Sequence, residues 1–182
     1  MKKIVRVSRL LKWGAIAICC ILPLTEAGYW ITNGYPFLES FFQPDPLPSF
    51  GSMPIGWNTL NEVQKLLGFV INLLPLAFSM ASLIYLSQLF AAFERLELFA
   101  KRNVKILKLT GWALVWGQIT YPIYIALLSL ALTYRNPVGE RNLSISFGTH
   151  QIEILAIGLS ILLVSWVFEE AVKMDEEQAG TI

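Results

Sequence analysis

The chain has 182 residues, enough for one domain, of which 55% are apolar and only 15% charged. Soluble chains of this size carry roughly a quarter of their residues as charges, because a core needs a polar surface to cover it. The deficit points to lipid as part of the solvent. A net charge of +1 offers no global field for nucleic acid or for an acidic substrate, so only local charge placement bears on partners.

In chain order, the first apolar run spans about 11–31 and, past Lys12 at its start, is interrupted only by Glu26. The second, 66–93, and the third, 109–134, contain no charged residue, and the fourth, 151–168, holds only Glu153 near its start. Each approaches or exceeds the roughly 20 residues a helix needs to cross a 30 Å hydrocarbon layer. Lipid leaves backbone N–H and C=O groups unsatisfied, so such runs must be helices or strands of a closed barrel, and runs this long without alternation exclude the strands. The expected fold is all-α: a single domain, 1–182, forming an integral membrane bundle of four transmembrane helices. Pro23, Pro75 and Pro122 each cost a backbone hydrogen bond and are expected to kink their spans.

Lys2, Lys3, Arg6 and Arg9 precede the first span and Lys12 stands at its start, and Arg95, Lys101, Arg102, Lys105 and Lys108 lie between the second and third. The opposite side receives Lys65, Arg135 and Arg141. This ten-to-three imbalance predicts that the N-terminus, the 94–108 hairpin and the 169–182 tail face the cytoplasm. A cleaved signal peptide ending near Thr25-Glu26-Ala27 is the rival reading of the first run. Against it, apolar character resumes through Tyr29, Trp30 and Ile31, with aromatics where an interface belt belongs. Cys19 and Cys20 are adjacent inside that run and read as small packing residues; Ile18 before Cys19 does not suit a lipid-modification site.

The outward loop, 32–61, contains Pro36, Pro44, Pro46, Pro48 and Pro54 among Tyr35, Phe37, Phe41, Phe42, Phe50 and Trp57. It is expected to be extended, its aromatics capping the bundle or lying at the membrane surface, with a short interfacial helix over 37–43 as an option. Small residues at Ala77 and Ala81, Gly111 and Gly117, and Ala156 and Ser160 around Gly158 predict close helix contacts, inside the bundle or across a dimer.

Intramembrane ionisable groups are candidate functional residues because burying them in hydrocarbon costs a few kcal/mol or more. Glu26, His150 and Glu153 form a predicted polar cluster on the outer side, where His150 and Glu153 project from one helix face. A metal would need three or four ligands, and no second histidine exists, so no metal, cofactor or catalytic residue is assigned. No nucleophile–base pair or glycine-rich phosphate loop is present, which argues against an enzyme. Gln118, Thr120 and Tyr121 are the nearest approach to a transport path and support the alternative of a small transporter or channel subunit.

The face predicted to be cytoplasmic is the richest surface. Phe93, Leu96 and Phe99 recur at helical spacing beyond the second span, and Asn103 is expected to cap the third helix. The candidate partner-binding residues are Leu96, Phe99, Lys101, Arg102, Asn103 and Lys105 in the hairpin, with Glu169, Glu170, Glu176 and Glu177 in the tail. Its plainer role is a basic loop touching anionic membrane lipids.

The hairpin LFAAFERLELFAKRNVKILKLTGWALV and the tail FEEAVKMDEEQAGTI resemble the paired signatures of a bacterial membrane protein family, domain-of-unknown-function family 2975. Phe99, Asn103, Val104 and Gly111 fit its first signature, and Phe168, Met174, Glu177, Thr181 and Ile182 its second. Ala171 stands where a glycine is usual, Gly180 where a leucine is usual, and Glu169-Glu170 where a basic residue is common. The resemblance implies a multi-pass, four-helix protein of the bacterial cytoplasmic (inner) membrane with no established activity. Genes of that family often neighbour one for a small helix-turn-helix regulator, which implies a membrane protein acting on transcription through a soluble partner. No nucleic-acid-binding element is visible in this chain itself.

Overall fold

The computed structural model describes residues 2–34, 56–97, 100–137 and 139–179, with side chains at all of these positions except 58, 175, 176, 178 and 179. Among the described residues there are five α-helices and no strand: α1 (Lys2–Ile31), α2 (Glu62–Glu94), α3 (Lys101–Ile119), α4 (Tyr121–Thr133) and α5 (Thr149–Ala179), with a 3-10 turn at Trp57–Thr59 before α2. The proposed interfacial helix over 37–43 lies outside the described residues.

Three helices are long and apolar enough to cross a membrane, and the broken pair α3 and α4 makes a fourth if counted as one span. The break is where the sequence has Tyr121-Pro122: proline occupies the first turn of α4. It has no N–H to donate and its ring crowds the carbonyl four residues back. Pro23 and Pro75, by contrast, sit inside α1 and α2, which continue as helix through them. At 33 residues α2 is about 50 Å long, well beyond the hydrocarbon thickness, so its ends stand in the headgroup region or in water.

The burial pattern is that of a protein whose solvent is oil. Leu10 and Leu24 are 72% exposed and Ile31 78%, while Thr110, Ser129 and Ser165 are fully buried. Lipid tails are as apolar as leucine, so helices in a bilayer associate through small and hydrogen-bonding residues.

The chain divides into two compact units, to both of which α1 and α2 contribute. In the first unit (Met1–Cys20, Phe78–Ile119, Thr149–Ile182) α3 packs antiparallel on α5. Gly111 lies against Leu162 and the carbonyl of Gly158, and Gly158 against Leu114 and Val115. Of the predicted small-residue positions, Gly111 and Gly117 both sit at close helix contacts, Gly117 against Phe78 of α2, whereas Ala156 and Ser160 are exposed, so only Gly158 of that trio is packed. In the second unit (Ile21–Ala77, Thr120–Gly148) Trp30, Leu60, Ile125, Leu128 and Leu132 form the core. Trp57, the one described aromatic of the 32–61 segment, meets Trp30 and Tyr29 edge-on at 5.5 and 5.0 Å.

Polar side chains tie the second unit's helices together. Asn61 and Gln64 form a reciprocal capping box: the Gln64 N–H donates to Asn61 Oδ1 at 2.8 Å, and the Asn61 N–H to Gln64 Oε1 at 3.1 Å. The buried Gln64 amide also donates to the Leu132 carbonyl at 2.8 Å, which serves one of the orphan carbonyls ending α4. Ser129 Oγ accepts the Ser144 N–H at 3.0 Å and Thr133 Oγ1 the Asn142 N–H at 3.1 Å, fastening the irregular segment after α4 along that helix.

The turn between α2 and α3 departs from the sequence expectation. Helical spacing of Phe93, Leu96 and Phe99 suggests a continuing helix, but α2 stops at Glu94 and Leu96 takes a left-handed φ of 64°. The Glu97 N–H bonds the Ala92 carbonyl and the Leu96 N–H that of Phe93, the Schellman pattern that ordinarily places glycine where Leu96 stands. A left-handed leucine costs about 1 kcal/mol. Leu96→Gly is therefore expected to raise the thermal midpoint in detergent by a few degrees; a lower midpoint would show that the leucine side chain contributes more than its strain costs.

Candidate functional site

Charge gathers at one end of the first unit. Glu94, the last residue of α2, accepts hydrogen bonds from Arg9 Nε at 2.6 Å and Lys12 Nζ at 2.5 Å, both from the first turns of α1. Its side chain is 19% exposed, so the carboxylate sits between two cations rather than free in water. On α3 and α5, Lys108 donates to Glu169 at 2.6 Å. That pair lies just outside the apolar runs, since Leu109 and Phe168 are their neighbours toward the hydrocarbon.

Above the Lys108–Glu169 pair α3 and α5 enclose a cleft of about 450 Å³, lined by Lys101, Val104, Lys105, Lys108, Glu169, Val172 and Lys173. Lys101, Lys105 and Lys108 recur at spacings of four and three and share one face of α3. Val104 and Val172 are both 8% exposed and form the apolar part of the lining. Three predicted partner residues, Lys101, Lys105 and Glu169, thus line one cavity, while Arg102, Glu170 and Glu177 are exposed and Leu96 is 43% exposed. Lys173 reaches Glu170 at 3.4 Å. Phe99 and the side chain of Glu176 lie outside the described residues.

Asn103 is a correction. It was expected as an N-cap and as a surface contact, but α3 begins at Lys101, which places Asn103 inside the first turn with 4% exposure. Its amide N–H donates to the Glu97 carbonyl, so it closes the turn from beneath.

Of the predicted outer cluster, His150 and Glu153 lie together on the first turns of α5, Nδ1 to Oε2 at 4.0 Å, with side chains 75% and 66% exposed. Glu26 has a different partner: the Asn72 amide on α2 donates to its carboxylate. Among the described residues no three His, Cys, Asp or Glu side chains are grouped to hold a metal ion. Asn72 was missed in the sequence because an amide in an apolar run carries no charge; its signal was polarity at a position where lipid exposure would cost hydrogen bonds. Gln64 was missed likewise, although Asn61-x-x-Gln64 is a readable capping pattern.

Long apolar helices with outward leucines, joined by buried hydroxyls and glycines, define a multi-pass helical membrane protein. The chain belongs to the family described as Protein of unknown function (DUF2975), whose sequence model matches residues 33–182. The match takes in α2 to α5 and begins after α1. No curated protein and no solved structure matches the chain significantly.

Proposed function

We propose that this chain is a non-enzymatic protein of the bacterial cytoplasmic membrane, with both termini inside the cell, that binds a soluble protein at the end carrying the α2–α3 turn and the α5 tail. One observation carries this reading: Lys101, Lys105 and Lys108 of α3 line a cleft with Glu169 and Lys173 of α5 there, and Leu96, Arg102, Glu170 and Glu177 stand exposed beside it. Interspersed charges of both signs around an exposed leucine suit specific, electrostatically steered docking. The ten-to-three distribution of Lys and Arg supports the orientation, and the family resemblance supports a helix-turn-helix regulator as the partner.

Removal of residues 173–182 is expected to lower recovery of that regulator from detergent-solubilised membranes about tenfold and to shift expression of a reporter under its control. Unchanged recovery and unchanged expression would overturn the proposal. A second reading, a small transporter or channel subunit, draws support from the Glu26–Asn72 pair within the spans. It requires flux in proteoliposomes that Glu26→Gln abolishes, and the absence of any flux would dismiss it.

A further inference from the structure

We infer that the cleft between α3 and α5 holds the phosphodiester headgroup of an anionic phospholipid. Such a site is independent of the soluble partner proposed above, which would meet the exposed residues around it. Four lysines and one glutamate line the cleft, and the glutamate is already bonded by Lys108 at 2.6 Å. The lining side chains sum to +3, which the contact of Lys173 with Glu170 just outside the lining lowers to +2, and the ammonium groups present N–H donors but no acceptor, the complement of a phosphate.

Size and depth decide between lipid and protein. At about 450 Å³ the cleft falls in the range of small-ligand sites, whereas even three turns of an inserted helix would fill roughly 1,400 Å³. Its base, the Lys108–Glu169 pair, directly adjoins the apolar runs at Leu109 and Phe168, so the cavity opens at headgroup level. Val104 and Val172 offer apolar contact to the glycerol carbons. The Lys101–Lys105–Lys108 row continues along the same face of α3 into Trp112 and Trp116, 44% and 50% exposed and stacked at 6.3 Å. A lipid with its phosphate among the lysines would lay an acyl chain along these indoles. A soluble phosphate ester would have no use for them.

The test uses the full chain purified in a neutral detergent, with phosphatidylglycerol or phosphatidylcholine added and retained lipid counted by native mass spectrometry. One phosphatidylglycerol is expected to be held in preference to phosphatidylcholine. Each lysine near an anionic headgroup is worth about a factor of five, so Lys101→Gln with Lys105→Gln should weaken binding roughly 30-fold. Lys105→Arg and the pair Lys2→Gln, Lys3→Gln should leave it near the parent value. Binding to the parent should also weaken as salt rises, a readout that needs no variant. Equal retention of the two lipids, an unaffected double variant or salt-independent binding would each overturn the inference. Displacement by an equal concentration of inorganic phosphate would overturn it in favour of a free-phosphate site.

Discussion

Gly68→Ala is expected to destabilise the protein by about 2–3 kcal/mol, lowering its thermal midpoint in detergent by roughly 5–10 °C. A Cβ at residue 68 would lie 2.1 Å from Cη2 of Trp30, 2.4 Å from Cζ3 and 2.9 Å from Cζ2. These are well inside van der Waals contact, so the indole must move. It has little room to do so, being 6% exposed and met edge-on by Trp57 at 5.5 Å and by Tyr29 at 5.9 Å. Indole fluorescence should shift as Trp30 is pushed from its place. A double-mutant cycle isolates the cause: if the clash is with Trp30, Gly68→Ala should cost far less in a Trp30→Ala background than in the parent. Additive costs, or a parent-like midpoint for Gly68→Ala alone, would show that the two residues do not pack as described.

The existence of the helices was legible because length without charge is a coarse signal: a run such as 66–93 admits few structures in lipid. What those helices pack against was not legible in the same way. In a soluble protein apolar periodicity names the buried face, but here Leu24 is 72% exposed and Ser129 fully buried. The packing face is therefore written in glycines, hydroxyls and amides, which the sequence scatters on several faces at once. Gly111 and Gly158 were each recognisable as close-approach residues, yet nothing in their spacing says that they face one another. The same holds for Glu26 with Asn72 and Lys108 with Glu169, pairs separated by 46 and 61 residues, whose register only the fold supplies. The misplaced continuation of α2 has a local cause. Leu96 sits at helical spacing from Phe93, and no glycine announces that the chain turns left-handed there.

Gly111→Leu is expected to damage both the α3–α5 contact and the cleft beside it. A Cβ at residue 111 would approach Leu162 Cγ to 2.8 Å, Cδ2 to 2.9 Å and the carbonyl oxygen of Gly158 to 3.1 Å. The leucine side chain can change rotamer, but the carbonyl belongs to the backbone of α5 and yields only if the helices separate. Overpacking of this kind costs about 1–3 kcal/mol, and a full leucine belongs at the upper end. Gly158→Ala makes a graded control, since its Cβ would meet Leu114 and Val115 at 3.1 Å and the Gly111 carbonyl at 3.3 Å, distances that small shifts relieve. The two glycines also differ in position. Gly111 is one turn from Lys108, whereas Gly158 is about three turns from Glu169 along α5. Separation at Gly111 should therefore stretch the 2.6 Å Lys108–Glu169 contact and widen the lysine-lined cleft, while Gly158→Ala should leave it closed. Weakened phosphatidylglycerol retention in Gly111→Leu, with retention preserved in Gly158→Ala, would tie the headgroup site to the packing of the two helices. Equal retention in both would mean that the lysines bind lipid without needing the cleft.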